Sequence, residues 1–205
     1  MPDSPTVGRR ERKKAATRQA IADAALDLFL EHGFEQASVR DIAERADVST
    51  TTLFAHFPSK EALVFDREEE VEAELTAAVR ERPKDQSVVE ALRAHALKSW
   101  VPIASDPRLH RLTALVDQTP ALREYAERMW MRHAGTLSAV IAEELGRAAD
   151  DLACSALARF VLEVPTLAKG RHDPRETVET VFDLLIHGWQ SQHDSGDAVT
   201  GSCKS

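Results

Sequence analysis

Apolar residues recur at three- and four-residue spacing along almost the whole chain, and no stretch alternates apolar and polar positions as a strand requires. The pattern predicts an all-α protein of about nine helices. A first helix runs from about Glu11 to Glu31, with Ile21, Ala25, Leu28 and Phe29 on one face. Gly33 follows it and suits the left-handed conformation after a helix. Ser38 caps a short helix, Val39 to Ala46, and Asp41 at its third position makes an Asp variant of the capping box. Asp47-Val48-Ser49 is a tight turn, and a second short helix spans Thr50 to Phe57 before Pro58 stops it. Ser59 caps a longer helix that begins Lys60-Glu61-Ala62 and reaches about Arg80.

Pro83 breaks the chain, and a helix follows from about Ser87 to Ala104, with Pro102 as a kink or early end. Asp106 caps a short helix over Pro107 to Val116. Thr119-Pro120 opens a long helix that reaches Leu145 before Gly146, with proline at the first helical position. Two amphipathic helices, about Asp150 to Ala168 and Pro174 to Gln192, complete the pattern. The expected organisation is a flexible basic arm over 1–12, a three-helix domain over 13–58, a larger helical domain over 59–193 and a disordered tail over 194–205.

Charge and composition narrow the function. Net charge is −8 over 205 residues, which alone points away from a polyanion. The distribution reverses that impression: residues 1–20 hold Arg9, Arg10, Arg12, Lys13, Lys14 and Arg18 against Asp3 and Glu11, and residues 1–60 are neutral. The acidic excess therefore lies beyond residue 60, and a basic end is left to face a polyanion. No apolar run approaches a bilayer span, and no apolar segment follows the basic N-terminal residues, so a cytoplasmic protein is expected. Cys154 and Cys203 make neither a disulfide framework nor a zinc site. The histidines lack metal-binding spacing, and nucleophile-elbow, phosphate-loop and dinucleotide motifs are absent. Neither an enzyme nor a cofactor or metal is expected.

The informative stretch is Ser38 to Leu63, SVRDIAERADVSTTTLFAHFPSKEAL. A short helix, a three-residue turn and a second short helix form a helix-turn-helix unit. Its core needs apolar residues at Ile42, Ala43, Ala46, Val48, Leu53 and Phe57, and all are present. The exposed face of the second helix carries Thr50, Thr51, Thr52, Ala55 and His56, short enough to bring the backbone against base edges.

From Phe29 to Leu63 the residues resemble the DNA-binding domain of TetR/AcrR-type repressors. The matching features are Gly33-Phe34, Ser38-Val39, Ile42-Ala43, Val48-Ser49, an aromatic at 54, Phe57 and Ser59-Lys60, and the likeness covers roughly residues 12–64. Three positions depart from the family pattern. Asp47 stands where glycine is usual, Phe54 where tyrosine is usual, and Thr50 at a position that is often basic. The resemblance implies that Ser38, Lys60 and the arm around Lys13 and Lys14 hold phosphates. It implies that Arg40, Ser49, Thr50, Thr51 and Thr52 face the major groove, with Phe54 and His56 beside them. Arg40 suits a guanine O6/N7 edge, and threonine methyls suit thymine C5-methyl groups.

Wide apolar arcs on the last two helices favour pairing with a second copy, and the resemblance implies a four-helix dimer interface. The candidate residues are Leu157, Val161, Val164, Val178, Phe182, Leu185 and Trp189. A ligand pocket is expected among Trp100, Leu112, Leu115, Tyr125, Met129, His133 and Phe160, whose apolar character favours a small hydrophobic effector. Taken together, the expectation is a homodimeric, ligand-responsive repressor of a palindromic double-stranded DNA operator. The alternatives are an activator with the same head, or a helical ligand-binding or protein-interaction dimer.

Overall fold

The structure is a computed structural model that describes the backbone of residues 8–104 and 106–197 and the side chains of 8–102 and 106–188. Among these residues the fold is all-α. The helices are α1 (Arg9–His32), α2 (Val39–Arg45), α3 (Thr50–His56), α4 (Glu68–Arg80), α5 (Val88–Ala104), α6 (Pro107–Gln118), α7 (Pro120–Glu144), α8 (Leu152–Ala168) and α9 (Pro174–Asp197). A single 3-10 turn, Glu61–Leu63, stands between α3 and α4.

The cap expected at Ser38 forms, and Ser49 and Asp151, which the sequence pattern did not single out as caps, act in the same way. Ser38 Oγ accepts the Asp41 N–H at 3.1 Å, and Ser49 Oγ accepts the Thr52 N–H at 3.0 Å, so each short helix begins with one orphan donor satisfied. Asp151 caps α8 by accepting from the Cys154 N–H at 2.9 Å. That bond, supported by the Arg147 guanidinium, holds the Asp151 carboxyl below its ordinary pKa.

Four expectations change. The helix expected from Lys60 is interrupted after the 3-10 turn, and regular α-helix resumes only at Glu68. Residues 9–12, expected in a flexible arm, form the first turn of α1. Residues 194–197, expected in the tail, continue α9. The rest of the arm (1–7), the end of the tail (198–205) with Cys203, and the Trp189 side chain lie outside the described residues.

The fourth change concerns the domain limits. The chain divides into two units, one made of Met1–Glu68 with His110–Ala126, the other of Glu69–Leu109 with Glu127–Ser205. In the first, Ile21, Phe29, Ile42, Leu53 and Phe57 form a core in which α1 packs against α2 and α3. Leu122 of α7 is fully buried in that same core, and Leu112, Leu115 and Tyr125 pack against it. Tyr125 stacks on Phe65 with ring centroids 5.2 Å apart, and its hydroxyl donates to Glu68 at 2.8 Å. Apolar side chains beyond the expected boundary at 58/59 thus pack into the first core. In the second unit α5 and α8 both lie along α9, around Leu92, Leu137, Ile141, Val161 and Phe182. The Arg82–Glu144 pair at 2.7 Å and the Arg80–Glu143 pair at 3.1 Å tie the end of α4 to the end of α7.

Two backbone positions set the turns of the head. Gly33 has φ +82° and ψ 162°, outside the left-handed helical basin and in a region open essentially to glycine. Asp47 has φ +53°, so the turn that usually takes glycine is made by aspartate in the left-handed conformation. Gly33→Ala is expected to destabilise by about 1–3 kcal/mol through backbone strain alone, since a Cβ there meets nothing within 4 Å. Asp47→Gly is expected to be neutral or to stabilise by up to about 1 kcal/mol. Urea unfolding midpoints of the two variants check this; equal losses in both would show that φ does not govern these sites.

Candidate nucleic-acid interface

The helix-turn-helix buries one side of α3 and presents the other. Leu53 and Phe57 are buried, whereas Thr50, Thr51, Phe54 and Ala55 are exposed, as helical spacing dictates for opposite faces. Ser49 is exposed at the cap. Thr52 is half-buried, and its hydroxyl shares a 2.8 Å hydrogen bond with Ser49 Oγ. Arg40 is exposed on α2.

The arginine that the sequence placed with the basic arm has a different position. Arg18 is half-buried on α1, and its guanidinium lies 4.2 Å from the centre of the Phe57 ring. One nitrogen donates to the His56 carbonyl at 2.8 Å and another to the Asp66 carbonyl at 2.7 Å. A planar fork on a ring face can serve both roles at once. Arg18 thus fixes the C-terminal end of α3, and periodicity gave no signal of it beyond a basic residue near the polar edge of α1.

Lys60 also turns inward. It donates to the Phe34 carbonyl and lies 4.4 Å from the Phe34 ring centre and 6.0 Å from that of Phe29. It precedes the 3-10 turn rather than opening α4. The expected free phosphate anchor is instead a clamp on the chain that leaves α1. Ser38 is similarly committed: its hydroxyl donates to the Asp41 carboxylate at 2.7 Å, which sets a negative charge where a phosphate would bind.

Further exposed cations, Arg9, Arg10, Arg12, Lys13 and Lys14, stand on the first turns of α1. His56 locates part of this charge. Burial pushes its imidazole below its ordinary pKa, and the positive charges of Lys14 and Arg18 push it further. The start of α1 therefore lies near the recognition helix. His56 Nδ1 is buried with no hydrogen-bond partner among the described residues, so His56 faces the protein interior with that nitrogen.

The remaining expected residues separate. Leu157, Val161, Val164, Val178 and Phe182 are 0–2% exposed in the second unit's own core, so they are not available to a partner; Leu185 is half-buried against that core. The apolar side chains left outside on these helices are Leu152, Phe160, Leu167 and Leu184, at 82%, 58%, 43% and 70% exposure. Phe160 is accordingly not a wall of an enclosed pocket. Leu112, Leu115 and Tyr125 belong to the core of the first unit, apart from the set in the second unit. There Met129 is buried, Trp100 is half-buried, and buried His133 meets the Trp130 ring edge-on at 5.4 Å with Nε2 3.8 Å from Glu72. An open groove of about 520 Å³ between α4 and α5 is lined by Glu74, Arg82, His95 and Lys98 among others, and by none of the expected pocket residues. Among the described residues no helix is long and apolar enough to cross a membrane.

Residues 21–66 match the family model described as bacterial regulatory proteins, tetR family. Beyond the head, the chain is 30% identical over 199 residues to the HTH-type transcriptional regulator TcmR of Streptomyces glaucescens, covering 92% of this chain and 86% of that protein. The chain belongs to the TetR family. It is a DNA-binding transcriptional regulator, and TetR-family regulators bind small molecules and act as dimers. Similarity is densest in the head: the regulator RutR of Escherichia coli K12 is 50% identical over 58 residues, 28% of this chain and 27% of its own. A solved TetR-family regulator from Streptomyces coelicolor A3 shares the fold, with a TM-score of 0.57 at 24% identity over 88% of this chain and 99% of its own.

Arg18→Ala and Lys60→Ala are each expected to lower stability by about 1–3 kcal/mol, the range for a hydrogen bond from a charged donor, and to weaken specific and random DNA alike. Urea unfolding beside fluorescence anisotropy with both DNAs checks this. An unchanged midpoint in Lys60→Ala with DNA binding lost would return the lysine to a direct phosphate contact.

Proposed function

We propose that this TetR-family regulator is a homodimeric repressor that occupies a palindromic operator and leaves it when a small hydrophobic effector binds the second unit. The observation that supports this best is the first unit's surface: an uncommitted face of α3, with Lys14 near its end, and five exposed cations on the first turns of α1. α3 enters the major groove, and Arg40 on α2 reads a guanine edge. Arg9, Arg10, Arg12, Lys13 and Lys14 take the phosphates, since Arg18 and Lys60 are committed within the fold. A dimer reads two half-sites, and two-fold symmetry in the protein calls for a palindrome in the DNA.

The partner copy is met by Leu152, Phe160, Leu167 and Leu184. Leu152, Phe160 and Leu167 recur at helical spacing on one face of α8, and apolar side chains this exposed favour a protein contact. The hydrophobic effector reading rests on Trp100, Met129 and Trp130, which place aromatic and thioether surface in the second unit. Differential affinity of the effector for the DNA-bound and free forms, typically worth about 1–3 kcal/mol, is enough to change occupancy 5- to 150-fold.

Two outcomes follow. Phe160→Glu should convert the dimer to a monomer in analytical ultracentrifugation and weaken operator binding, with helicity retained. A dimer that survives this change, and survives Leu184→Glu as well, would place the interface elsewhere. Lys13→Ala with Lys14→Ala should reduce the slope of log K against log salt by about 0.9 for each phosphate contact removed, without altering sequence preference. An unchanged slope would remove these lysines from the interface.

A further inference from the structure

We propose that α3 reads its half-site through thymine C5-methyl groups, with Phe54, Thr51 and Ala55 as the specificity-determining contacts. The inference rests on the reading of the first unit as a DNA-binding head and names the base chemistry that this head recognises. α3 is seven residues, TTTLFAH, and its outward positions carry no guanidinium, ammonium, amide or carboxylate. The two-point hydrogen bonds that distinguish guanine, adenine or cytosine in the major groove need such groups. A threonine hydroxyl both donates and accepts, so it discriminates weakly between base edges. Thr52 contributes still less, because its hydroxyl is bonded to Ser49 Oγ at 2.8 Å.

What α3 does present is methyl and ring surface. Phe54 is 51% exposed, and Thr51, also exposed, stands between it and exposed Ala55 on the outward face. Positions 51, 54 and 55 are three and four residues apart and form one patch. The C5-methyl of thymine is the apolar group that a base pair shows in the major groove. Burying this patch against thymine methyls removes apolar surface from water on both sides, whereas a cytosine or purine edge would leave base polar groups facing a ring. The replacement of the family's usual tyrosine by Phe54 fits this role, since an apolar ring has no hydroxyl to hydrate. Guanine recognition is left to Arg40 on α2.

The test uses the full-length protein and a randomised duplex pool. After selection, each thymidine of the enriched half-site is replaced in turn by deoxyuridine, which deletes only the C5-methyl. The expected half-site contains thymines, and at two or more of them the replacement weakens binding about fourfold, the equivalent of roughly 0.8 kcal/mol for one buried methyl group. In Phe54→Ala the deoxyuridine effect should vanish at one position and persist elsewhere. Thr51→Ser, which removes a methyl and keeps the hydroxyl, should erase it at another. If Phe54→Ala loses its native melting transition, Phe54→Leu is read in its place and should shrink the effect at the same position. A half-site without thymine, or thymines whose replacement changes Kd by less than about twofold, overturns methyl reading while leaving the DNA-binding head intact. No enrichment of any sequence overturns the operator reading itself, and methyl reading with it.

Discussion

One guanidinium holds the recognition helix in place. A seven-residue α3 is too short to be stable alone, and it is held by its buried anchors, Leu53 and Phe57. Arg18 reinforces the second of them. Stacked on Phe57 and bonded to the carbonyls of His56 and Asp66, it ties α1, the end of α3 and the segment after the 3-10 turn into one piece. Lys60 does the same on the other side, joining the chain after α3 to the chain after α1 through Phe34. A reader of base edges tolerates little displacement, so cations that look made for phosphate are better placed inside the head.

The sequence shows why such commitments are hard to foresee. Local features were legible because their physics is local: Ser38 caps as expected, Pro120 opens α7, and Asp47 takes the positive φ that its turn requires. Periodicity also marked the apolar faces correctly. It could not say which partner each face would meet, because an amphipathic stripe records only that water is avoided. Leu112, Leu115 and Tyr125 pack against the first core. On α8 the arc was wide enough to have two sides, and Val161 and Val164 point into the chain's own core while Phe160 and Leu167 point out. Nothing in a helical wheel separates these two sides; packing of α5 and α9 does. For the same reason the TetR-family head was recognisable from sequence, whereas the effector contacts were not.

The charge of the head follows the same division. Fourteen residues near the N-terminus carry most of its positive charge, and the described part is helical and exposed. Nearby, the Asp41 carboxylate occupies the Ser38 hydroxyl. Exposed positive charge is thereby concentrated on α1, and in the proposed complex Arg40 is the cation that α2 offers to a base. The lowered pKa of His56 has the corresponding sign: partial burial, and then the charges of Lys14 and Arg18, disfavour a further positive charge at the end of α3.

A head built this way has a consequence for assembly. Methyl contacts are each worth less than the bidentate hydrogen bonds that other recognition helices use, so a single α3 gains little discrimination over random sequence. Phosphate contacts from α1 raise affinity for all DNA equally and cannot make up the difference. Specificity must then come from reading two half-sites at once, where the small terms add and the second contact is effectively intramolecular. In the dimer proposed above, the exposed apolar side chains of α8 and α9 are the surface for that doubling. On this argument the weak chemistry of α3 and the apolar stripe ending in Leu167 are parts of one design: a regulator whose selectivity is lost when its two copies no longer hold their heads at the operator's spacing.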